Sequence, residues 1–533
     1  LALPSGGSPA RCGPLLRQIF LALTLLLGSA GGLVVEIVAG RLIAPYVGMS
    51  LYTWTAIIAV VLAGLSAGHW IGGRMAAARV SDIGAMRRLS IALALASVSS
   101  FASLGLLRVL SGPLLGSGLG TVPVVILLST ALFLLPSLFV GIVAPIVTRL
   151  AVGLRPEDPG PVIGRMYAIG TLGSIAGTLA AGYLFIAWIG STGTIVAVAT
   201  VYAVLALLCA LQAGRGFAGR TGLGIALLLG AVGAWTQATG AFVSPCERES
   251  DYFCIRIDDF SAVSGRPSAL IVLDHLAHSI NDRDDPTLLF NPYIHFVDEY
   301  ARRRLAYGPG RPISAFFVGG GGYTLPRAWA TEIPSARLVV AEIDPAVTEA
   351  ARRHLWLDTD LPGLEIHHRD ARVLLQSLPA VPAFDVVFGD AFHDISVPAH
   401  LVTREFHREI ARRLVGRGFY IVNAVDDGRR PRFVAALART LATDFAAVEV
   451  WAEAEALSAA TAGTESRITY VVVAGHRDSG IDSLSAARGL PRFWLRLPVD
   501  GVLRVAGDDV PVLTDDFAPV DRLMATLLLA PEE

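Results

Sequence analysis

Two hydrophobic rhythms divide this chain. Up to about residue 245, apolar residues run almost unbroken in stretches near 20 long, the length a helix needs to cross a hydrocarbon core. Seven such stretches lie near 18–40, 52–72, 89–107, 122–148, 166–189, 193–213 and 222–243. The first is too long, and too closely followed by others, to be a cleaved signal peptide. Pro136 and Pro145 predict a kink or a local break in the fourth. Gly64, Gly68 and Gly72, and then Gly173 and Gly177, place small residues at four-residue spacing and predict close helix packing.

From Ser250 onward short apolar runs alternate with amphipathic helical stretches. Runs at 252–257 and 269–273 predict a small β element, followed by a helix near 296–305. Strands are predicted at 313–318, 337–341, 364–367, 384–389 and 419–422, with helices near 347–354 and 404–414. Pro326 suits the first turn of a further helix, where a missing N–H is tolerated. Such alternation predicts a parallel sheet with helices on both faces, whose ligands bind at the carboxyl ends of the strands.

Composition sharpens the division. Hydrophobic residues make up 53% of the 533 and mean hydropathy is +0.58, too high for an ordinary soluble protein. Only Glu36, Asp82, Glu157 and Asp158 of the 45 acidic residues precede Cys246. A net charge of −2 gives nucleic-acid binding no electrostatic support. Glu36 and Arg41, at the edge of a span, are read either as a polar site in the bundle or as a paired acid and a snorkelling arginine. Arginines in the short loops divide eleven against two. Arg11, Arg17, Arg74, Arg79, Arg87, Arg88, Arg149, Arg155, Arg165, Arg215 and Arg220 lie on one set of flanks, Arg41 and Arg108 on the other. That bias places the N-terminus in the cytoplasm and, after seven spans, the C-terminal domain outside it. Cys246 and Cys254 are close enough in sequence to bridge, and equally readable as two thiols. Adenosyl nucleotides are made in the cytoplasm, so an undetected eighth span would put the domain back inside.

The strand ends carry the candidate chemistry. Gly319, Gly320, Gly321 and Gly322 follow the first strand, Glu342 the second, Asp370 the third and Asp390 the fourth. Glycines allow backbone amides to approach a ligand without a Cβ in the way. A carboxylate at Glu342 can accept both hydroxyls of a ribose, and Asp370 can accept from an exocyclic adenine amine. The third glycine of a dinucleotide fingerprint is absent, Thr324 or Leu325 standing there, and the chain has no lysine for a Walker motif. An adenosyl-sulfonium ligand is therefore preferred to NAD or ATP. The histidines fit no standard metal-ligand spacing, and no metal is expected.

With LDHLAHS (273–279), VGGGGYTLPRA (318–328), EIDP (342–345), RDAR (369–372) and FDVVFGDAF (384–392), the soluble half resembles the membrane-fused spermidine-synthase-like proteins of bacteria. EIVAGRLIAPYVG (36–48), TLGSIAGTLAAG (171–182) and the late TDDFAPVD (514–521) extend the resemblance more loosely. It implies transfer of an aminopropyl group from decarboxylated S-adenosylmethionine to an amine. Glu342 would hold the ribose, Asp370 and Ala371 the adenine, and Asp390 would be the catalytic acid–base group.

Three positions depart from that pattern. Gly322 stands where the family carries an aspartate for the donor's cationic end. His393 replaces the carboxylate that grips the acceptor amine, and His278 replaces a glutamine, leaving both as weak candidates for substrate contact. Losing the first carboxylate tilts the pocket toward intact S-adenosylmethionine and methyl transfer, or toward binding without turnover.

The expected architecture is a polytopic α-helical membrane domain (1–245), a small β element with a linking helix (246–310), and a Rossmann-like, methyltransferase-superfamily domain that binds an adenosyl nucleotide (311–533). The expected activity is that of an aminopropyltransferase of the cell membrane, embedded in the lipid bilayer and acting on a small-molecule amine, with no nucleic-acid partner and homo-oligomerisation left open. A methyltransferase on the same scaffold, or a transporter with a degenerate sensing domain, is the alternative.

Overall fold

The computed structural model describes residues 14–77, 80–307, 310–392, 397–463 and 467–529. Arg11, Arg79 and His393 from the sequence reading lie outside them. The chain forms two compact units, the second made of the residues after Ser244 together with the short segments Ala44–Leu51 and Gly118–Val122.

The first unit is helical: α1 (Pro14–Val47), α2 (Leu51–Met75), α3 (Asp82–Leu115), α4 (Thr121–Gly141), α5 (Val143–Gly153), α6 (Pro159–Ala180), a π-helical turn (Ala181–Phe185), α7 (Ile186–Gln212) and α8 (Arg215–Ala238). Among the described residues, six helical runs are long and apolar enough to cross a membrane. Seven stretches were expected. The difference is Pro159–Gln212, one run of 54 residues that holds the fifth and sixth. Straight, it would span about 80 Å at 1.5 Å per residue, far beyond a ~30 Å hydrocarbon core. It is not straight, because Gly190 sits at φ 68° and ψ 173° inside it.

Side-chain registers give the directions of its two halves. A Cβ on Gly173 would lie 2.3 Å from Leu26 O, and one on Gly177 2.3 Å from Ala30 O, so α6 runs parallel to α1. Ser90 and Ser97 of α3 donate to Ala206 O and Ala199 O of α7, each at 2.7 Å, an antiparallel register. The starts of α1 and α3 are joined by Arg17–Asp82 at 3.1 Å. Hence α6 and α7 run in opposite senses. The glycine stripe of α2 has the same packing role: a Cβ on Gly68 would lie 2.1 Å from Leu138 O.

The second unit opens with a four-stranded antiparallel sheet: β1 (Arg248–Glu249), β2 (Cys254–Asp259), β3 (Ser268–Leu273) and β4 (Leu276–Asp282). A disulfide joins Cys246 to Cys254. Nine more strands form one sheet: β5 (Ser314–Val318), β6 (Arg337–Glu342), β7 (Leu364–His368), β8 (Phe384–Gly389), β9 (Leu414–Asp427), β10 (Ala447–Glu453), β11 (Arg467–Gly475), β12 (Ser483–Ser485) and β13 (Phe493–Leu497). Their order is β12-β13-β10-β11-β9-β8-β5-β6-β7.

The parallel pairing expected from the sequence holds from β7 to β9. Beyond β9 every pairing is antiparallel, although the helices Arg432–Leu441 and Ala454–Ala462 still alternate with the strands. From β5 the chain steps outward to β6 and β7, then returns to the other side of β5 as β8. The gap between the carboxyl ends of β5 and β8 is thus the topological switch point, where such sheets bind ligands.

Both faces of the sheet are covered, as the unbroken apolar runs within β5 and β8 require. Phe316 and Val318 enter one core with the helices Ala371–Ser377, Arg404–Ala411 and Arg432–Leu441. Ala315 and Phe317 enter the other, with Pro292–Leu305, Thr324–Glu332 and Pro345–His354. In the second core a buried carboxylate ties the helices together. Asp298 is 1% exposed and accepts from Arg302 at 2.8 Å, Trp329 at 2.7 Å and Arg488 at 3.1 Å, as well as from Tyr307. Replacing Asp298 with Ala leaves the buried Tyr307 and Trp329 donors unpaired, while Arg302 and Arg488 keep Glu332, and is expected to cost roughly 2–4 kcal/mol. Thermal unfolding of the full chain in detergent should show the soluble half melting several degrees lower; an unchanged transition would contradict this.

Candidate functional site

The sheet positions its strand-end residues with backbone hydrogen bonds. Gly319 N donates to Ala341 O and Asp390 N to Val318 O, both at 2.9 Å, locking the ends of β5, β6 and β8 together. Gly319 has φ 99°, and a Cβ there would lie 2.7 Å from Asp390 O. Only glycine fits that turn. Next in the turn, Gly320 N and Gly321 N donate to Glu342 Oε2 at 2.8 and 3.3 Å, while Asp344 N donates to Oε1 at 2.9 Å. The amides of Gly320 and Gly321, which in a phosphate-binding turn would face an anion, here already serve a carboxylate.

A second clamp comes from β4. Ser279 Oγ accepts from Gly322 N at 3.1 Å, and Asn281 donates to Gly322 O at 2.8 Å while accepting from Thr324 at 2.7 Å. A Cβ at residue 322 would lie 2.5 Å from that of Ser279. Tyr323 follows at φ 54°, a left-handed conformation unusual for an aromatic residue, held by its hydroxyl against Thr348 at 2.7 Å.

These elements surround a cavity of about 820 Å³. Gly319, Gly321, Glu342, Asp370, Ala371 and Asp390 line it, and His278 does too. Gly320 and Gly322 are turned into the clamps just described. Among the described residues no group of three or more His, Cys, Asp or Glu is arranged to hold a metal ion.

Electrostatics differ along the cavity. Asp390 Oδ1 accepts from Asn423 Nδ2 at 2.8 Å, and the Tyr293 hydroxyl, which donates to His278 O at 3.2 Å, also favours the Asp390 charge. Withdrawal from water nevertheless outweighs both and pushes the Asp390 pKa up to about 7. Glu342 is likewise raised by burial, against the three amides that favour its charge. His278 goes the other way. Burial, then His275 and Arg467, lower its pKa to about 4, so it is neutral at pH 7. At the far wall Asp370 caps the helix Ala371–Ser377 through Val373 N at 3.0 Å and meets His400 Nε2 at 2.8 Å. Its pKa is lowered: burial opposes the shift, but His400 and the helix amides prevail.

Several residues here escaped the sequence reading. Tyr293 stands at the start of the helix Pro292–Leu305, and Pro292 at its first position was the available signal. Asn423 ends the apolar run of the fifth predicted strand, so the rule that selected Glu342, Asp370 and Asp390 would have reached it. Its Oδ1 is buried with no hydrogen-bond partner. His400 carried no signal at all, since a loop brings it to Asp370. Tyr252 and Phe253 also line the cavity, on the loop closed by the Cys246–Cys254 bridge.

Over 128 residues, 23% of this chain, the sequence is 31% identical to a polyamine aminopropyltransferase of Vibrio vulnificus (strain CMCP6). Over that stretch the chain is similar to an aminopropyltransferase. The match spans 42% of that relative's length. Among solved structures, a probable spermidine synthase from Corynebacterium glutamicum aligns at TM-score 0.43 and 20% identity, covering 51% of this chain and 97% of the other. Human methyltransferase-like protein 13, solved with SAH, aligns at 0.28 and 19%, covering 42% and 99%. A spermidine synthase bound to the transition-state analogue AdoDATO aligns at 0.28 and 19%, covering 39% and 65%. No family model matches the chain.

Because the bridge holds the loop that carries Tyr252 and Phe253, a Cys246→Ser/Cys254→Ser variant of the full chain should show several-fold faster amide hydrogen exchange across 247–253. Exchange equal to that of the parent protein would show that the bridge does not support the cavity wall.

Proposed function

We propose that the soluble half transfers an aminopropyl group from decarboxylated S-adenosylmethionine to an amine. The observation that carries this reading is Asp390, placed at the switch point between Tyr293 and Asn423 with a pKa near 7. In such a reaction the amine nitrogen attacks the carbon bonded to sulfur. The C–S bond breaks, its electron pair returns to sulfur, and the sulfonium becomes a neutral thioether. The attacking nitrogen must lose a proton. Asp390 as carboxylate accepts it, and the unpartnered Asn423 Oδ1 offers a second acceptor for an amine N–H. Glu342 would hold the ribose hydroxyls, with Asp370 and Ala371 at the adenine.

Gly322 favours a second reading, methyl transfer from intact S-adenosylmethionine. No carboxylate stands at that position to hold a cationic aminopropyl end or to repel a donor carboxylate. Products separate the two: methylthioadenosine from the decarboxylated donor, or S-adenosylhomocysteine from the intact one.

We also propose a seven-pass topology with the soluble half on the arginine-poor side. Arg17 and Arg149 both meet Asp82, Arg87 lies over Phe217, and Arg88 donates to Met75 O. The arginine-bearing ends of α1, α2, α3, α5 and α8 are therefore gathered at one end of the helical unit, and arginine-rich ends face the cytoplasm. Arg108, near the end of α3, donates to Val243 O beyond α8 at the other end. A reporter fused after Glu533 that is active only outside the cytoplasm should be active; a reporter active only inside would overturn this topology.

Asp390→Asn is expected to lower turnover by roughly 10²–10⁴-fold while methylthioadenosine still binds. Turnover equal to the parent protein's would rule Asp390 out as the base. Since the carboxylate is the active form, kcat/KM should rise with pH and level off above about 7. Asn423→Ala removes a bond that favours the carboxylate, so that limb should move to higher pH.

A further inference from the structure

The late motif TDDFAPVD (514–521) has no part in the chemistry above, yet the fold brings it to the same cavity. Ala518, Pro519, Val520 and Asp521 line the cavity together with Ala371 and His400. We propose that 514–521 is part of the nucleotide-binding site, a strap forming the wall on the Asp370 side and latched there by Arg372. This rests on the adenosyl-nucleotide reading of the cavity.

Three independent anchors hold the strap. Arg372 pairs with Asp515 through both guanidinium nitrogens, Nη1–Oδ1 at 2.7 Å and Nη2–Oδ2 at 2.6 Å, the bidentate geometry that fixes orientation as well as distance. Asp515 N donates to Glu405 Oε2 at 3.0 Å, and Arg404 N to Leu513 O at 2.9 Å, so the helix Arg404–Ala411 grips the strap's start. Beyond the strap's tight turn, where Thr514 and Phe517 exchange backbone hydrogen bonds at 3.0 Å, Val520 and Leu523 are 4% exposed and join the core containing Ala371, Val397 and Leu401.

Arg372 does more than hold the strap. Its Nη1 also donates to His400 O at 3.1 Å, and His400 is the residue that meets Asp370. One guanidinium thus joins the strap, the loop bearing His400 and the helix capped by Asp370. Ala518 and Pro519 give this wall a small apolar surface, suited to a flat purine ring, while Asp370 and Asp521 place carboxylates at its margin. Arg372 acts as a positioning residue, through the strap.

The test is calorimetric titration of the full chain in detergent with S-adenosylhomocysteine and with methylthioadenosine. Asp515→Asn leaves Arg372 and its bond to His400 in place and should weaken both nucleosides roughly tenfold, about the worth of one charge-assisted contact. Ala518→Trp should abolish binding by filling the cavity, with the thermal transition of the soluble half unchanged. Glu342→Gln serves as the reference on the opposite wall. Weakening by Glu342→Gln, with parental binding in both strap variants, overturns the strap and leaves the nucleotide site standing. If the parent protein binds neither nucleoside, the nucleotide reading itself falls, and the strap with it. Hydrogen exchange gives a second readout: amides of 514–523 should gain protection when S-adenosylhomocysteine is bound, and exchange unaltered by the nucleoside would count against the wall.

Discussion

The soluble half is organised around one buried carboxylate. Glu342 accepts from the amides of Gly320, Gly321 and Asp344, joining the turn after the first parallel strand to the end of the second. A carboxylate buried without such donors would be strongly unfavourable. With them, it sets the path of the glycine turn, which in turn sets how closely β8 and Asp390 can approach. Gly319 is the contact point, and its backbone leaves no room for a side chain. The cavity is thus a consequence of how the turn is held, and its polar floor is fixed before any ligand arrives.

Around that floor the structure places charges unevenly. Asp390 is held near neutrality, Glu342 is raised, His278 is uncharged and Asp370 is kept ionised by its helix cap and His400. A group poised near pH 7 beside one kept as an anion is the kind of separation that divides proton transfer from binding. A side chain at Gly322 would collide with Ser279, whose Cβ lies 2.5 Å from where a Cβ would stand. Restoring the acid would therefore require yielding at Ser279 as well.

In the helical unit the same economy of small residues operates in a different solvent. Gly68, Gly173 and Gly177 bring backbones into contact where lipid offers no hydrophobic drive for helix association. Serines on α3 complete their hydrogen bonds on α7 carbonyls, which fixes register between two antiparallel helices. The glycine stripes noted in the sequence are accounted for by this packing.

Hydrophobic periodicity alone determined the division of the chain, the apolar stretches and the first five strands of the larger sheet, because burial on one or both sides of an element leaves a repeating signature. Strand-end acids and glycines were legible for the same reason: they interrupt that signature at the edge where a parallel sheet binds ligands. Only the tertiary structure could decide the rest. It gave the reversal at Gly190, which lies inside continuous apolar sequence, and the antiparallel half of the sheet, whose pairing depends on partners far apart in the chain. It also brought Tyr293, His400, Asn423 and Arg372 with Asp515 to the cavity. Arg372 and Asp515 alone are 143 positions apart, and a contact made only through folding leaves no local pattern in the sequence, even where Pro292 or a strand end marks one of the residues.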